Sequence, residues 1–106
     1  HATCTKMGDV IEAQDMGRVY GDSPKVSGFK SYMGHTMGSC GAIETLITTY
    51  MMEEGFIAPT LNLENIDERC AMINHTRELS ESDIRIAAIQ NFAFGGVNTC
   101  LIIKKI

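Results

Sequence analysis

The chain has 106 residues, 44% of them apolar and 21% charged, which suits one globular domain able to bury a core with little to spare. A net charge of −4 excludes a general nucleic-acid footprint, and no apolar stretch approaches the roughly 18 to 20 residues that cross a bilayer. Cysteines 4, 40, 70 and 100 stand far apart with no C-x-x-C pair, a spacing that fits four reduced thiols better than a disulfide framework or a zinc site. With no signal-type N-terminus, the expectation is a soluble, cytoplasmic protein without a membrane span.

In chain order, Asp9-Val10-Ile11-Glu12 has the spacing of a capping box and predicts a short helix from Asp9 toward Tyr20, broken by Gly21-Asp22-Ser23-Pro24. Val26 to Ser31 is a strand candidate, and Gly34 then turns the chain to present His35. From Ser39 to Glu54, Ala42, Ile43, Leu46, Ile47, Tyr50 and Met51 recur at helical spacing, and Gly55 stands where a C-cap glycine would. Ile84 to Phe92 and Thr99 to Ile103 read as two strands joined through Gly95-Gly96, with Phe92 in the core. The expected class is mixed α/β.

Three blocks carry the chemistry. The run Lys30-Ser31-Tyr32-Met33-Gly34-His35-Thr36-Met37-Gly38-Ser39-Cys40-Gly41 resembles the lysine–histidine block of the β-ketoacyl-acyl carrier protein synthases. His1-Ala2-Thr3-Cys4-Thr5 resembles the family's His-Gly-Thr-Ser-Thr, and Asn91-Phe92-Ala93-Phe94-Gly95-Gly96-Val97-Asn98 resembles its glycine-rich loop. The resemblance covers essentially the whole chain. It implies residues 1–106 as the C-terminal half of the layered α-β-α-β-α thiolase-type fold with a mixed sheet, cut just before a catalytic block. The nucleophilic cysteine would lie in the N-terminal half.

Those enzymes join a malonyl unit on acyl carrier protein to an acyl thioester by decarboxylative Claisen condensation. Loss of CO2 leaves an enolate, so hydrogen-bond donors are needed where charge develops on the thioester oxygen. Neutral imidazoles donate one N–H each without a permanent charge that would hold the ground-state carboxylate too well. By resemblance those donors are His1 and His35. Lys30 falls at the family's active-site lysine, and a buried lysine keeps its proton only beside a carboxylate, a role expected of Glu12. Thr3 and Thr5, at alternate positions of an extended segment, would point two hydroxyls at a phosphopantetheine arm. Phe94 would gate the acyl pocket, and Gly95 and Gly96 would let the backbone form an oxyanion hole.

Ala2 and Ala93 stand where the family usually has glycine, each adding a Cβ where unusual dihedrals are expected. Cys4 and Cys40 replace small residues and read as packing. Glu44 matches a glutamate that helps to bind a structural monovalent cation in several members, although Gln90 stands where a shorter amide is expected. Asn74-His75-Thr76 is a glycosylation sequon, idle without a secretory signal. Beyond the carrier-borne phosphopantetheine no cofactor is implied. The expected partners are acyl carrier protein, the N-terminal half and a second copy in a homodimer. Two rival readings are a non-catalytic partner subunit resembling a chain-length factor, and a metal module built on His1, Cys4, His35 and Cys40. Retention of both histidines and the lysine argues against the first, and spacings that match no common zinc pattern argue against the second.

Overall fold

The computed structural model describes all 106 residues as a mixed α/β chain. Helix α1 spans Gly8–Tyr20. Its start differs from the expected capping box: Asp9 lies inside the first turn, and no side chain of Met7, at the cap position, is bonded. Thr5 does the capping instead, its hydroxyl accepting from the Gly8 amide at 3.1 Å and its carbonyl from the Asp9 amide at 3.2 Å. Glu12 is thereby free to act elsewhere. The inner face of α1 sets Val10, Ala13 and Met16 against Val26, Ile66, Cys70 and Ile73, the main apolar cluster. Gly17 allows close approach there, because a Cβ on it would lie 2.6 Å from Met72 Cγ.

The strand expected over Val26–Ser31 is confined to β1, Lys25–Val26, paired in parallel with β3, Asn74–His75. Beyond Val26 the chain bends. The Ser31 hydroxyl and amide both donate to the Gly28 carbonyl and the Tyr32 amide to that of Phe29, which starts the single helical turn α2, Lys30–Met33. Local turn bonds thus win over a ladder, and Lys30 is carried on a helix. Strand β2, Phe56–Ile57, pairs antiparallel with β4, Ser80–Glu81.

Helix α3, Cys40–Glu54, follows a 3-10 turn over Met37–Ser39 and stops at Gly55, whose φ of 77° is left-handed and whose amide bonds the Met51 carbonyl at 2.9 Å. Its buried stripe is Cys40, Glu44, Thr48, Met51 and Met52. Leu46 and Tyr50, expected on the inner face, are exposed. A helix with apolar residues on every side has no single preferred face by pattern alone, and here contact with Lys30 and β5 selects the stripe that carries Glu44.

Strands β5, Ile86–Ala93, and β6, Val97–Lys104, form the expected antiparallel hairpin, with Ala93 opposite Val97 and Phe94-Gly95-Gly96 as its loop. Gly95 and Gly96 take φ of 81° and 80°, which closes the loop. Ala93 is a regular strand residue, so its Cβ is unstrained; Ala2, at φ 43°, does occupy the left-handed region. α1 meets the hairpin where Tyr20 Oη lies 3.7 Å from Cys100 Sγ and accepts from Gln90 Nε2 at 3.4 Å. The hydrogen bond with Cys100, together with burial, pushes the Tyr20 hydroxyl above its usual range. No helix is long and apolar enough to cross a membrane.

Candidate active site

His35 is delivered by the end of α2. Gly34, at φ 72° and ψ −176°, reverses the chain with its amide on the Lys30 carbonyl at 2.8 Å. Met37, at φ 54°, then aims its amide at His35 Nδ1, 3.1 Å away. A backbone amide only donates, so Nδ1 is the acceptor nitrogen and a neutral ring keeps its proton on Nε2. Cys40 Sγ lies 3.3 Å from the same Nδ1 and accepts from the Thr36 hydroxyl at 3.2 Å. With Nδ1 unprotonated, the thiol is the donor. Cys40 is therefore more than the packing residue expected of it, although it is also the most buried side chain.

His1 is held from below by Glu12, which is buried and accepts from the Ala2 amide at 2.8 Å and from the His1 ammonium, where this chain starts, at 2.6 Å. The rings of His1 and His35 meet edge to face, with centroids 5.4 Å apart and planes at 87°. The two sequence blocks thus converge on one point. Phe92 completes it, its ring 5.6 Å from that of His1. The sequence places Phe92 in the core, whereas it is 37% exposed beside the histidines; only its position beside Asn91 and near Phe94 hints at a part in the site.

The expected pairing of Lys30 with Glu12 does not form. Lys30 Nζ instead donates to Glu44 Oε1 at 2.5 Å, both residues only 7% exposed. Glu44 and Lys30 lie 14 residues apart, and the fold brings their side chains together while Glu12 is engaged at the nitrogens of His1 and Ala2. The other carboxylate oxygen, Oε2, accepts from Asn91 Nδ2 at 2.8 Å, and Asn91 Oδ1 lies 3.2 Å from His1 Nδ1. Lys30, Glu44, Asn91 and His1 form a continuous hydrogen-bonded chain. Asn91, which opens the glycine-rich block but has no role assigned by it, is the residue that sequence reasoning missed.

The surroundings of Glu44 are those of a buried ion pair, beside the monovalent-cation role that the resemblance implies for it. Both of its oxygens already face donors, one of them cationic, and Gln90 is turned toward Tyr20. Cys4 also departs from expectation: it is exposed at φ 60° and fills no core space. No group of three or more His, Cys, Asp or Glu side chains could hold a metal ion, which removes the four-ligand module as a reading. Thr3 and Thr5 lie on a segment bent at Ala2 and Cys4, yet their hydroxyls both lie within 4.0 Å of the point where a Gly8 Cβ would be. Phe94, at the hairpin tip, is 97% exposed.

Residues 1–64 match the family described as "Beta-ketoacyl synthase, C-terminal domain". The chain is 37% identical over 107 residues to 3-oxoacyl-[acyl-carrier-protein] synthase 1 of Escherichia coli K12, covering 100% of this chain and 26% of that protein. It is 35% identical over 109 residues to 3-oxoacyl-[acyl-carrier-protein] synthase 2 of Coxiella burnetii, with the same coverage. A β-ketoacyl synthase from Burkholderia phymatum superposes with a TM-score of 0.96 at 44% identity, over 100% of this chain and 26% of that one. The chain thus spans about a quarter of the length of these relatives. The converging histidine blocks, the fold and the family match agree: the chain belongs to the β-ketoacyl synthase family, as its C-terminal domain.

Proposed function

We propose that the protein carrying this chain catalyses decarboxylative Claisen condensation of malonyl-acyl carrier protein with an acyl thioester, and that this chain supplies the two-histidine decarboxylation site. The observation that carries the reading is the edge-to-face pair of His1 and His35, with the Nδ1 of His35 already engaged by the Met37 amide. A neutral His35 then offers Nε2–H to the thioester oxygen as it gains charge, without a cation to stabilise the carboxylate before it leaves. Lys30 is neutralised by Glu44 and shapes the site through that pair.

Thr3 and Thr5 would hold the amide-bearing pantetheine arm from one side. Phe94 would gate the acyl pocket, and the amides of the Gly95-Gly96 loop would serve the acyl-transfer oxyanion. The nucleophilic cysteine belongs to another part of the protein, as does most of the carrier-docking surface, since this chain has a net charge of −4 and carrier proteins are acidic. Leu46, Tyr50, Leu101 and Ile102 are exposed apolar side chains, which supports packing of α3 and β6 against further protein, including a second copy in a dimer. A cytoplasmic location accords with this chemistry.

The test is CO2 release from malonyl-carrier by the intact protein. Replacement of His35 by alanine is expected to lower kcat by about 10²- to 10³-fold, the usual effect of losing one donor to a developing oxyanion. Unchanged CO2 release in that variant would sink the reading.

A further inference from the structure

We propose that Asn91 is a positioning residue that fixes the tautomer of His1, and that it fixes it opposite to the tautomer of His35. Donor and acceptor roles along the hydrogen-bonded chain follow from its charged end. The Lys30 ammonium can only donate, and it does so to Glu44 Oε1 inside the protein. An ionised Glu44 can only accept, so the amide that meets its Oε2 at 2.8 Å must present Nδ2. The orientation of the Asn91 amide is thereby assigned by its neighbour. Its Oδ1 is left facing His1 Nδ1 at 3.2 Å, and a carbonyl oxygen can only accept. The proton of a neutral His1 therefore sits on Nδ1, and its Nε2 carries a lone pair.

His35 is wired the other way, with the Met37 amide and the Cys40 thiol both directed at Nδ1 and the proton on Nε2. The two imidazoles are not equivalent donors: His35 gives a hydrogen bond into the site and His1 takes one. A substrate seated between them would place a carbonyl oxygen toward His35 and a hydrogen-bond donor, such as a bound water, toward His1. The remaining carboxylate beside His1, Glu12, is spent on the backbone nitrogens of His1 and Ala2.

The tautomer assignment rests on geometry alone, whereas its catalytic consequence rests on the decarboxylase reading above. Two readouts keep these apart. Ring 15N spectra of the intact protein, at a pH where both histidines are neutral, are expected to show the proton on Nδ1 in His1 and on Nε2 in His35. In Asn91→Leu, which keeps volume without hydrogen bonds, the His1 proton is expected to move to Nε2, the site an unconstrained imidazole prefers. Asn91→Ala serves the same purpose should the leucine variant fail to fold. In either variant kcat for CO2 release from malonyl-carrier should fall roughly 3- to 10-fold with KM unchanged, the scale of one positioning hydrogen bond. A proton on Nε2 of native His1, or one that stays on Nδ1 in both variants, overturns the proposal. Absent CO2 release in the native protein would instead refute the functional reading and leave the ring spectra to judge Asn91.

Discussion

Lys30 Nζ stands 2.5 Å from Glu44 Oε1 in a pocket that exposes only 7% of either residue, so each charge has the other as its partner inside the protein. Replacing Glu44 by alanine strands a buried ammonium and frees Asn91 at the same time. We predict a loss of about 3 to 5 kcal/mol, read by urea denaturation of the intact protein, with a similar loss for Lys30→Ala. The paired replacement Lys30→Met with Glu44→Leu should recover much of it, because no charge is then left unpaired. A paired variant as unstable as either single one would mean that the side chains act through volume and not charge.

Cys40 donates toward His35 Nδ1 while accepting from Thr36, which makes Cys40→Ala and Cys40→Ser informative opposites. Both replacements shrink the side chain, but only serine keeps a donor. We expect the alanine variant to lose a few-fold in kcat for CO2 release, on the scale of about 1 kcal/mol, and the serine variant to retain most of it. Equal losses would assign Cys40 to packing alone.

Gly34 and Gly55 end consecutive helices, and both have positive φ, yet their substitution should have different consequences. Gly55 is left-handed at φ 77° and ψ 39°, so Gly55→Ala should cost about 1 kcal/mol of stability and leave the chemistry alone. At φ 72° and ψ −176° Gly34 occupies a region essentially reserved for glycine, and no atom lies within 4 Å of where its Cβ would stand. Gly34→Ala should therefore cost about 1 to 3 kcal/mol through backbone strain alone and also displace His35, lowering kcat beyond the stability loss. Thermal midpoints and CO2 release measured on both variants separate the two effects.

Asp67 caps the 3-10 turn over Glu68–Cys70, accepting from the Arg69 guanidinium and amide, and these bonds hold its carboxyl down at about 2. A folded value below the ordinary 3.8 means that the contribution to stability is present above that value and is lost as pH falls toward 2. The side chain is exposed, so the effect is small. Comparing urea midpoints of the native protein and Asp67→Asn between pH 5 and 2, we expect the difference to shrink as the pH falls; a constant difference would refute the assignment.

Phe94 is 97% exposed, so Phe94→Ala should leave the thermal midpoint unchanged, whereas Phe92→Ala should lower it and disturb the His1 ring. Acyl-chain preference in the intact protein is the measurement that tests Phe94 as a gate. Unaltered preference and kcat would remove it from the site.

Much of the fold is legible in the sequence because its signals are local. The apolar runs around Gly95-Gly96 predict a hairpin, which forms with its strand ends shifted by a few residues, and Gly55 stops α3 where a left-handed cap is needed. The strand expected over Val26–Ser31 is cut short because hydrogen bonds of Ser31 to Gly28 form a turn that no hydropathy pattern reports. Strands β1 to β4 are two residues each, too short to carry an alternation, and exist through pairing with distant segments. The inner face of α3 is not legible, because Leu46 and Tyr50 are exposed while Glu44 and Thr48 are buried, the reverse of what side-chain polarity predicts.

By itself the sequence determined which residues could do the chemistry. Two histidines, a lysine and a glycine loop stand in three blocks whose residue types suffice for the family resemblance, and turn glycines and helical spacing act within a few residues. What only the tertiary structure decided is who bonds to whom. The sequence reading pairs Lys30 with Glu12, whereas the carboxylate that the tertiary fold brings to its ammonium is Glu44, a side-chain contact that leaves no periodic mark. The same holds for Asn91, whose amide orientation, and with it the proton of His1, follows from a carboxylate 47 residues away.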